Sequence, residues 1–124
     1  MHTQVPGRQA KRTITIVVEA PITSDEFTLA NLAEEFVVGE IVGVVRGGTT
    51  PDVDYTIRHG NDRNATGTEV VTGGSTVTST TTGDSVTVFN SSTLAADEFV
   101  WVELGTVSSG SDAPTELHIS IQEA

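Results

Sequence analysis

The 124-residue sequence contains no cysteine, which excludes a disulfide framework, a thiolate metal site and a cysteine nucleophile. Long helix formers are scarce, with one lysine, one methionine and five leucines. Positive charge is also short: 6 Lys and Arg stand against 17 Asp and Glu, a formal net charge of -11. A nucleic-acid partner is therefore not expected, because phosphate contacts need a basic footprint. No apolar run approaches the roughly 18 residues of a membrane span. Met1 to Arg12 lacks the apolar stretch of a secretory signal, so neither a span nor a leader is expected. The three histidines, His2, His59 and His118, show neither His-x-His nor His-x-x-x-His spacing, and a zinc site is not expected. Many chance Ser-His-acid combinations exist among ten serines, but no Gly-x-Ser-x-Gly elbow singles one out. No phosphate-cradling Gly-rich loop ending in Lys-Ser or Lys-Thr occurs either. The histidines read as surface residues, the protein as a non-enzyme, and no cofactor is expected.

Valine, isoleucine and threonine are abundant, making 44 of 124 residues. Such β-branched types suit pleated, half-buried surfaces, so the fold class is all-β. The alternation of apolar and polar residues marks the strands. Arg12 to Glu19 turns Ile14, Ile16 and Val18 to one side, and Pro21 ends it. Glu26 to Leu29 reads as a short strand, with a helix capped by Ser24 as the other reading of that stretch. Phe36 to Arg46 is apolar on both faces, with Val38, Val42 and Val44 set against Val37, Ile41 and Val45. Gly39 and Gly43 within it mark a bulge or a close approach of another chain segment. Val53 to His59 carries Val53, Tyr55 and Ile57 inward. Further strands are expected at Thr66 to Val71 and at Ser85 to Asn90. Between them, Thr76 to Thr82 reads as an edge ribbon wet on both faces, with a hairpin-type turn after it at Gly83-Asp84. Glu98 to Leu104 separates Phe99 and Trp101 from Val100, Val102 and Leu104. Glu116 to Gln122 turns Leu117, Ile119 and Ile121 inward and His118 and Ser120 outward. This spacing predicts a single-domain jelly-roll β-sandwich of about eight antiparallel strands over 13–124.

Charge is unevenly placed. Arg8, Lys11 and Arg12 lie in the first twelve residues, whereas from Thr13 onward three bases (Arg46, Arg58, Arg63) face all 17 acids. Residues 1–12 read as an extended basic arm, with Arg8, Lys11 and Arg12 as its interaction residues. The dense carboxylates and near-absence of lysine resemble the proteins of extreme halophiles. In molar salt the screening length is about 3 Å, so the body's self-repulsion would be relieved.

Among the acids, Asp52 and Asp54 share one strand face, and with Asp62, Asn61 and Asn64 they form the weak candidate for a hard-cation site, since calcium takes several loop oxygens. The competing reading is ordinary turn chemistry. Trp101, the single tryptophan, reads as core or near-core, with an exposed sugar-stacking platform as the alternative.

The order of segments carries a resemblance. An opening Thr-Ile-Thr-Ile-Val-Val strand precedes Phe-Val-Val-Gly-Glu-Ile-Val-Gly-Val-Val and a Gly-Gly-Thr-Thr-Pro-Asp-Val-Asp-Tyr-Thr-Ile-Arg-His-Gly hairpin. A Thr/Ser-rich middle leads to Ala-Ala-Asp-Glu-Phe-Val-Trp-Val-Glu-Leu and a closing Thr-Glu-Leu-His-Ile-Ser-Ile. Over Arg12 to Gln122 this resembles the small jelly-roll decoration, turret and fibre proteins of tailed-virus particles, and the acidic composition points to a haloarchaeal virus. The resemblance implies a minor capsid protein at the virion surface, self-associating as a homotrimer or homopentamer and docking on the major capsid protein. It transfers no functional residue. The alternative it leaves is a carbohydrate- or receptor-binding jelly-roll module of a fibre or spike.

Overall fold

The computed structural model describes residues 11–124 and contains ten strands. They are β1 (Thr13–Glu19), β2 (Glu26–Asn31), β3 (Phe36–Arg46), β4 (Val53–Gly60), β5 (Thr68–Glu69), β6 (Ser75–Val77), β7 (Asp84–Val86), β8 (Thr93–Leu94), β9 (Phe99–Val107) and β10 (Glu116–Glu123). The first sheet has the order β1-β10-β3-β7, with β8 also on β3. The second has the order β2-β9-β4-β5, with β6 also on β4. Every pairing is antiparallel, and most successive strands change sheet. The result is a two-layer, jelly-roll-like sandwich.

The core arises from strand alternation. Val18, Val38, Ile41, Val45, Leu117, Ile119 and Ile121 of the first sheet meet Val53, Tyr55, Ile57, Val100, Val102 and Leu104 of the second, all buried. Ile14 and Ile16 lie against this core but are only half-buried, because β1 is the last strand of its sheet.

The central strand departs from its predicted faces. Its core side carries Phe36 and Val38, then Ile41, Gly43 and Val45, because the register with β10 shifts between Gln122 and Glu123. The bulge sits at Gly39, where a Cβ would lie 2.6 Å from Ala124 Cα. Val42 and Val44 therefore point outward together. Gly43 serves the other expected purpose, close approach: a Cβ there would lie 2.5 Å from Cγ2 of the fully buried Val77, which reaches across from β6.

The Thr-rich middle is less regular than its pattern predicts. The strands expected at 66–71, 76–82 and 85–90 shrink to β5, β6 and β7 of two or three residues. Glycines at positive φ (Gly67, Gly73, Gly74, Gly83) interrupt the segment, and Val88 is 81% exposed. The ribbon is not wet on both faces, since Val77 is core. Gly83-Asp84 does not close a hairpin, because β6 pairs with β4 and β7 with β3. Instead the Asp84 carboxylate accepts the N–H groups of Thr78 (2.7 Å) and Ser79 (3.0 Å), folding the crossover between sheets. Strand β8 was not expected. Its Leu94, fully buried, is a single apolar residue in a polar stretch and carries no periodicity. Both β2 and β9 run further than predicted, to Asn31 and Val107.

Candidate functional site

The outer face of the second sheet is built on Trp101. Antiparallel register places it opposite Thr28 of β2 and Arg58 of β4, and Arg58 opposite Glu69 of β5. Trp101 is only 1% exposed although it points away from the sandwich core. Its cover is the loop after β4. Asp62 Oδ1 accepts the Asn64 N–H at 2.9 Å, and the Asp62 carbonyl accepts that of Ala65 at 3.1 Å, so the loop turns back on the sheet. Gly67, at φ +74, then passes so close that a Cβ would lie 2.5 Å from Trp101 Cη2. Arg63 lies over the indole at 4.6 Å and donates from Nε to Thr28 Oγ1 at 2.8 Å. Its Nη2 lies 3.3 Å from Glu26 Oε1.

Beside this cover is a cleft of about 370 Å³ bordered by Glu26, Arg58, Arg63, Asn64, Trp101 and Glu103. Its charges are matched from within. Arg58 stands between Glu69 (3.3 Å) and Glu103 (3.4 Å), while Arg63 meets Glu26. The cation already on the indole face occupies the surface a sugar ring would stack on, so Trp101 is near-core rather than a platform.

The second constellation corrects the reading of His59 as a surface residue. His59 is 6% exposed at the end of β4, with Nδ1 3.0 Å from Glu98 Oε1 and Nε2 2.9 Å from Ser91 Oγ. An ionised carboxylate only accepts, so Nδ1 donates to Glu98, and in the neutral imidazole Nε2 then accepts from the serine hydroxyl. Glu98 Oε1 also accepts the Ala95 N–H at 2.6 Å. Serine, histidine and glutamate thus stand in the order of an acyl-transfer relay. Such chemistry also needs free donors beside the serine for an oxyanion. Here the N–H groups of Asn90 and Ser91 both donate to the Val70 carbonyl, at 2.9 and 3.1 Å. The arrangement clasps β4, the 89–92 segment and the entry to β9. One signal in the sequence pointed to it: His59 continues the inward series Val53, Tyr55, Ile57.

His118 points outward as predicted. Its Nε2 lies 2.6 Å from Glu116 Oε1, and this contact, aided by the Arg46 charge and opposed by desolvation, lowers the Glu116 carboxyl.

The candidate cation ligands do not converge. Asp54 Oδ1 accepts the Thr76 hydroxyl at one end of β4, and Asp62 caps the loop past the other end, roughly 20 Å away at ~3.3 Å per residue. Asp52 is exposed and bonded through its backbone to Ser108. Among the described residues no three His, Asp or Glu side chains are grouped to hold a metal.

Of the basic trio, Arg8 lies outside the described residues and Lys11 is exposed. Arg12 is built into the domain. Its guanidinium reaches Glu123 Oε2 at 2.6 Å, donates to the Glu35 carbonyl, and lies 5.1 Å from the centre of the Phe36 ring. Its backbone N–H donates to Glu123 Oε1 at 2.9 Å, and its carbonyl accepts the Glu123 N–H at 3.0 Å. Arg12 holds the Glu123 carboxyl down to about 2.

The outer face of the first sheet has a different character. Its two middle rows are Val17-His118-Val44 and Thr15-Ser120-Val42. Charged side chains border them, with Glu19, Glu116 and Arg46 in the row at one end and Glu40 in the row at the other. Val17 is 48% exposed.

No family model matches the chain, and no curated protein does. Among solved structures, the CBM32 of AlyQ in complex with 4,5-unsaturated mannuronic acid is similar with a TM-score of 0.57. The identity is 17%, over 86% of this chain and 75% of that one. The likeness is one of fold. It places the chain among jelly-roll-like β-sandwiches. The structure of infectious bursal disease virus Gx strain also matches, at 13% identity over 99% of this chain and 40% of that one. Its TM-score of 0.27 carries no argument.

Proposed function

We propose that this chain is a non-enzymatic structural protein of a virus particle, a capsid decoration or minor capsid protein that self-associates and docks on the shell. The observation that carries the reading is the outer face of the first sheet. A chain with 17 acids leaves the middle rows of that face free of carboxylates and sets Val17, Val42 and Val44 on it. Depletion of charge at the centre of a patch, with charge at its rim, is the make-up of a protein-protein contact. The polar groups elsewhere support the non-enzymatic part: His59, Glu98 and Ser91 bond to each other, and Arg58 and Arg63 are each ion-paired in the cleft. The segment order that resembles virion decoration proteins supports the location at the capsid surface, and the acid-rich, lysine-poor body supports a high-salt setting.

Light scattering at physiological and molar salt tests self-association. A discrete oligomer is expected, more populated in molar salt where about 3 Å screening relieves repulsion between acidic bodies. A monomer at both salts overturns it. Docking is tested by co-sedimentation with shells after removal of residues 1–10. The cut stops short of Arg12 because that residue holds Glu123. Lost co-sedimentation with an unchanged melting temperature assigns docking to the arm, and unchanged co-sedimentation removes the arm from it.

The fold shared with a carbohydrate-binding module and the charged cleft of Glu26, Arg58, Arg63 and Glu103 beside the sealed Trp101 favour a second reading, a carbohydrate- or receptor-binding module that holds its ligand by polar groups rather than by stacking on the indole. Tryptophan fluorescence titrated with neutral and acidic oligosaccharides tests it: a saturable shift supports the module, and a flat response to all of them counts against it.

A further inference from the structure

We infer that the open edge of β1 is a self-pairing edge, where a second copy of this chain adds its own β1 antiparallel. The inference rests on the self-association proposed above and adds to the outer face a contact along the edge of the same sheet. Strand β1 ends the first sheet, and among the described residues β10 is the strand paired with it. The Glu123 N–H donates to the Arg12 carbonyl and the Ala20 N–H to the Thr115 carbonyl, so the even-numbered residues of β1 face β10. In an antiparallel ladder alternate residues face opposite ways, so the N–H and C=O groups of Thr13, Thr15, Val17 and Glu19 point out of the sheet edge.

Natural edges are blunted by charge, proline, bulges or brevity. From Thr13 to Val18 this edge has no charge and no proline, and its register with β10 is unbroken. The other edges are blunted. Strand β2 has a register break between Thr28 and Ala30 and Arg63 bonded across it, and β5 to β8 are two or three residues long.

The edge is complementary to itself in one register. With a two-fold axis at Ile16, Thr13 stands opposite Glu19 of the second copy and Thr15 opposite its Val17. All the outward backbone groups then meet as hydrogen-bonded pairs. Directly opposed residues share a face, so Ile14, Ile16 and Val18 continue into the same row of the second copy. Ile14 and Ile16, half-buried in one copy, gain the apolar neighbours they lack. On the other face Val17 covers Thr15, and exposed Lys11 stands diagonal to Glu19. The contact joins two five-stranded sheets into one. It is isologous and closes as a dimer, so a threefold or fivefold ring needs a different surface.

The absence of cysteine makes the test direct. Opposed residues at a non-hydrogen-bonded pair have Cα atoms about 4.5 Å apart, within disulfide reach. Full-length Ile16→Cys is expected to cross-link to a dimer on mild oxidation, whereas Val88→Cys, exposed away from this edge, is not. By light scattering the native chain is expected at twice the monomer mass. Val17→Pro is expected at the monomer mass with its circular dichroism and melting temperature kept, because the Val17 N–H makes no bond to β10. If Val17→Pro loses its fold, the Ile16→Cys cross-link decides alone. A native chain that stays monomeric to about 1 mM overturns the inference. So does a monomer that dimerises only when residues 1–10 are removed, which assigns the edge to the chain's own terminus. An oligomer that ignores Val17→Pro and leaves Ile16→Cys uncross-linked overturns β1 pairing while the self-association proposal stands.

Discussion

The two outer faces of the sandwich are made from similar strands and finished in opposite ways. On the second sheet, Trp101 is sealed beneath Arg63 and Gly67, and Arg58, Glu69, Glu103 and Glu26 pair off around it. On the first sheet, Val17 and Thr15 are exposed and Val42, Val44 and Ser120 half-buried, with the Gly83 turn passing against Val42. The difference lies in the connections between strands. The Asn61–Gly67 turn folds back over β4 and brings its own cation, so that face completes itself locally. The first sheet's long strands connect across to the other layer, and the turn that reaches its outer face, at Gly83, touches it at Val42. A face completed by its own chain contributes stability, and a face left open is available to a partner.

Replacing the keystone of the closed face gives the largest expected effect. Trp101→Ala should cost about 3–5 kcal/mol in urea denaturation, the range for removing a buried aromatic. A loss near the level of a surface substitution would show that the cover is decoration and the comparison false. The clasp comes next. His59→Ala leaves the Glu98 carboxylate and the Ser91 hydroxyl without their partner, at about 1–3 kcal/mol. Ser91→Ala should cost less, and a larger loss for Ser91 than for His59 would contradict the clasp.

A third prediction separates the hem of the first sheet from its middle. Arg12 holds Glu123 at about 2, below the ordinary carboxylate range. A carboxyl lowered on folding stabilises at pH above its unfolded value, and the contribution drains away as pH falls through its folded value. Thermal melts should therefore show Glu123→Gln less stable than the native chain at neutral pH, with the gap closing as pH falls toward about 2. A gap independent of pH would mean that the Arg12 pair is not the cause. The smallest effect is expected in the middle of the open face. Val44→Ser should cost about 1 kcal/mol or less, because Val44 is only half-buried and the change moves within the strand-propensity range. A large loss there would show that the face is already part of the packed domain.

Much of the fold was legible along the chain. The alternations in Thr13 to Glu19, Val53 to His59 and Glu116 to Gln122 each predicted the buried side correctly, because a half-buried strand writes its faces at period two. The faces of β3 were not, because Val-rich sequence on both sides hides a one-residue bulge. The parity change at Gly39 is visible only against β10. The Thr-rich middle misled for a related reason: Thr favours strands wherever it stands, while pairing also needs a neighbouring edge with a free row of bonds. Of the site, Trp101 was legible as near-core, but its cover was not. Arg63 and Trp101 are far apart in sequence and meet only because β4 and β9 pair. The candidate acids failed for the same cause in reverse, since Asp54 and Asp62, close in sequence, are separated by the length of a strand.

By itself the sequence determined the strand class, the inward rows of β1, β4 and β10 and the sign of the surface, because each is a local consequence of side-chain shape, alternation and charge. Only the tertiary structure decided that His59 is clasped between Glu98 and Ser91, that Arg12 is tied to Glu123, and that β1 ends a sheet. Those facts depend on which strands become neighbours, and that is set by the summed packing of the two layers rather than by any single segment.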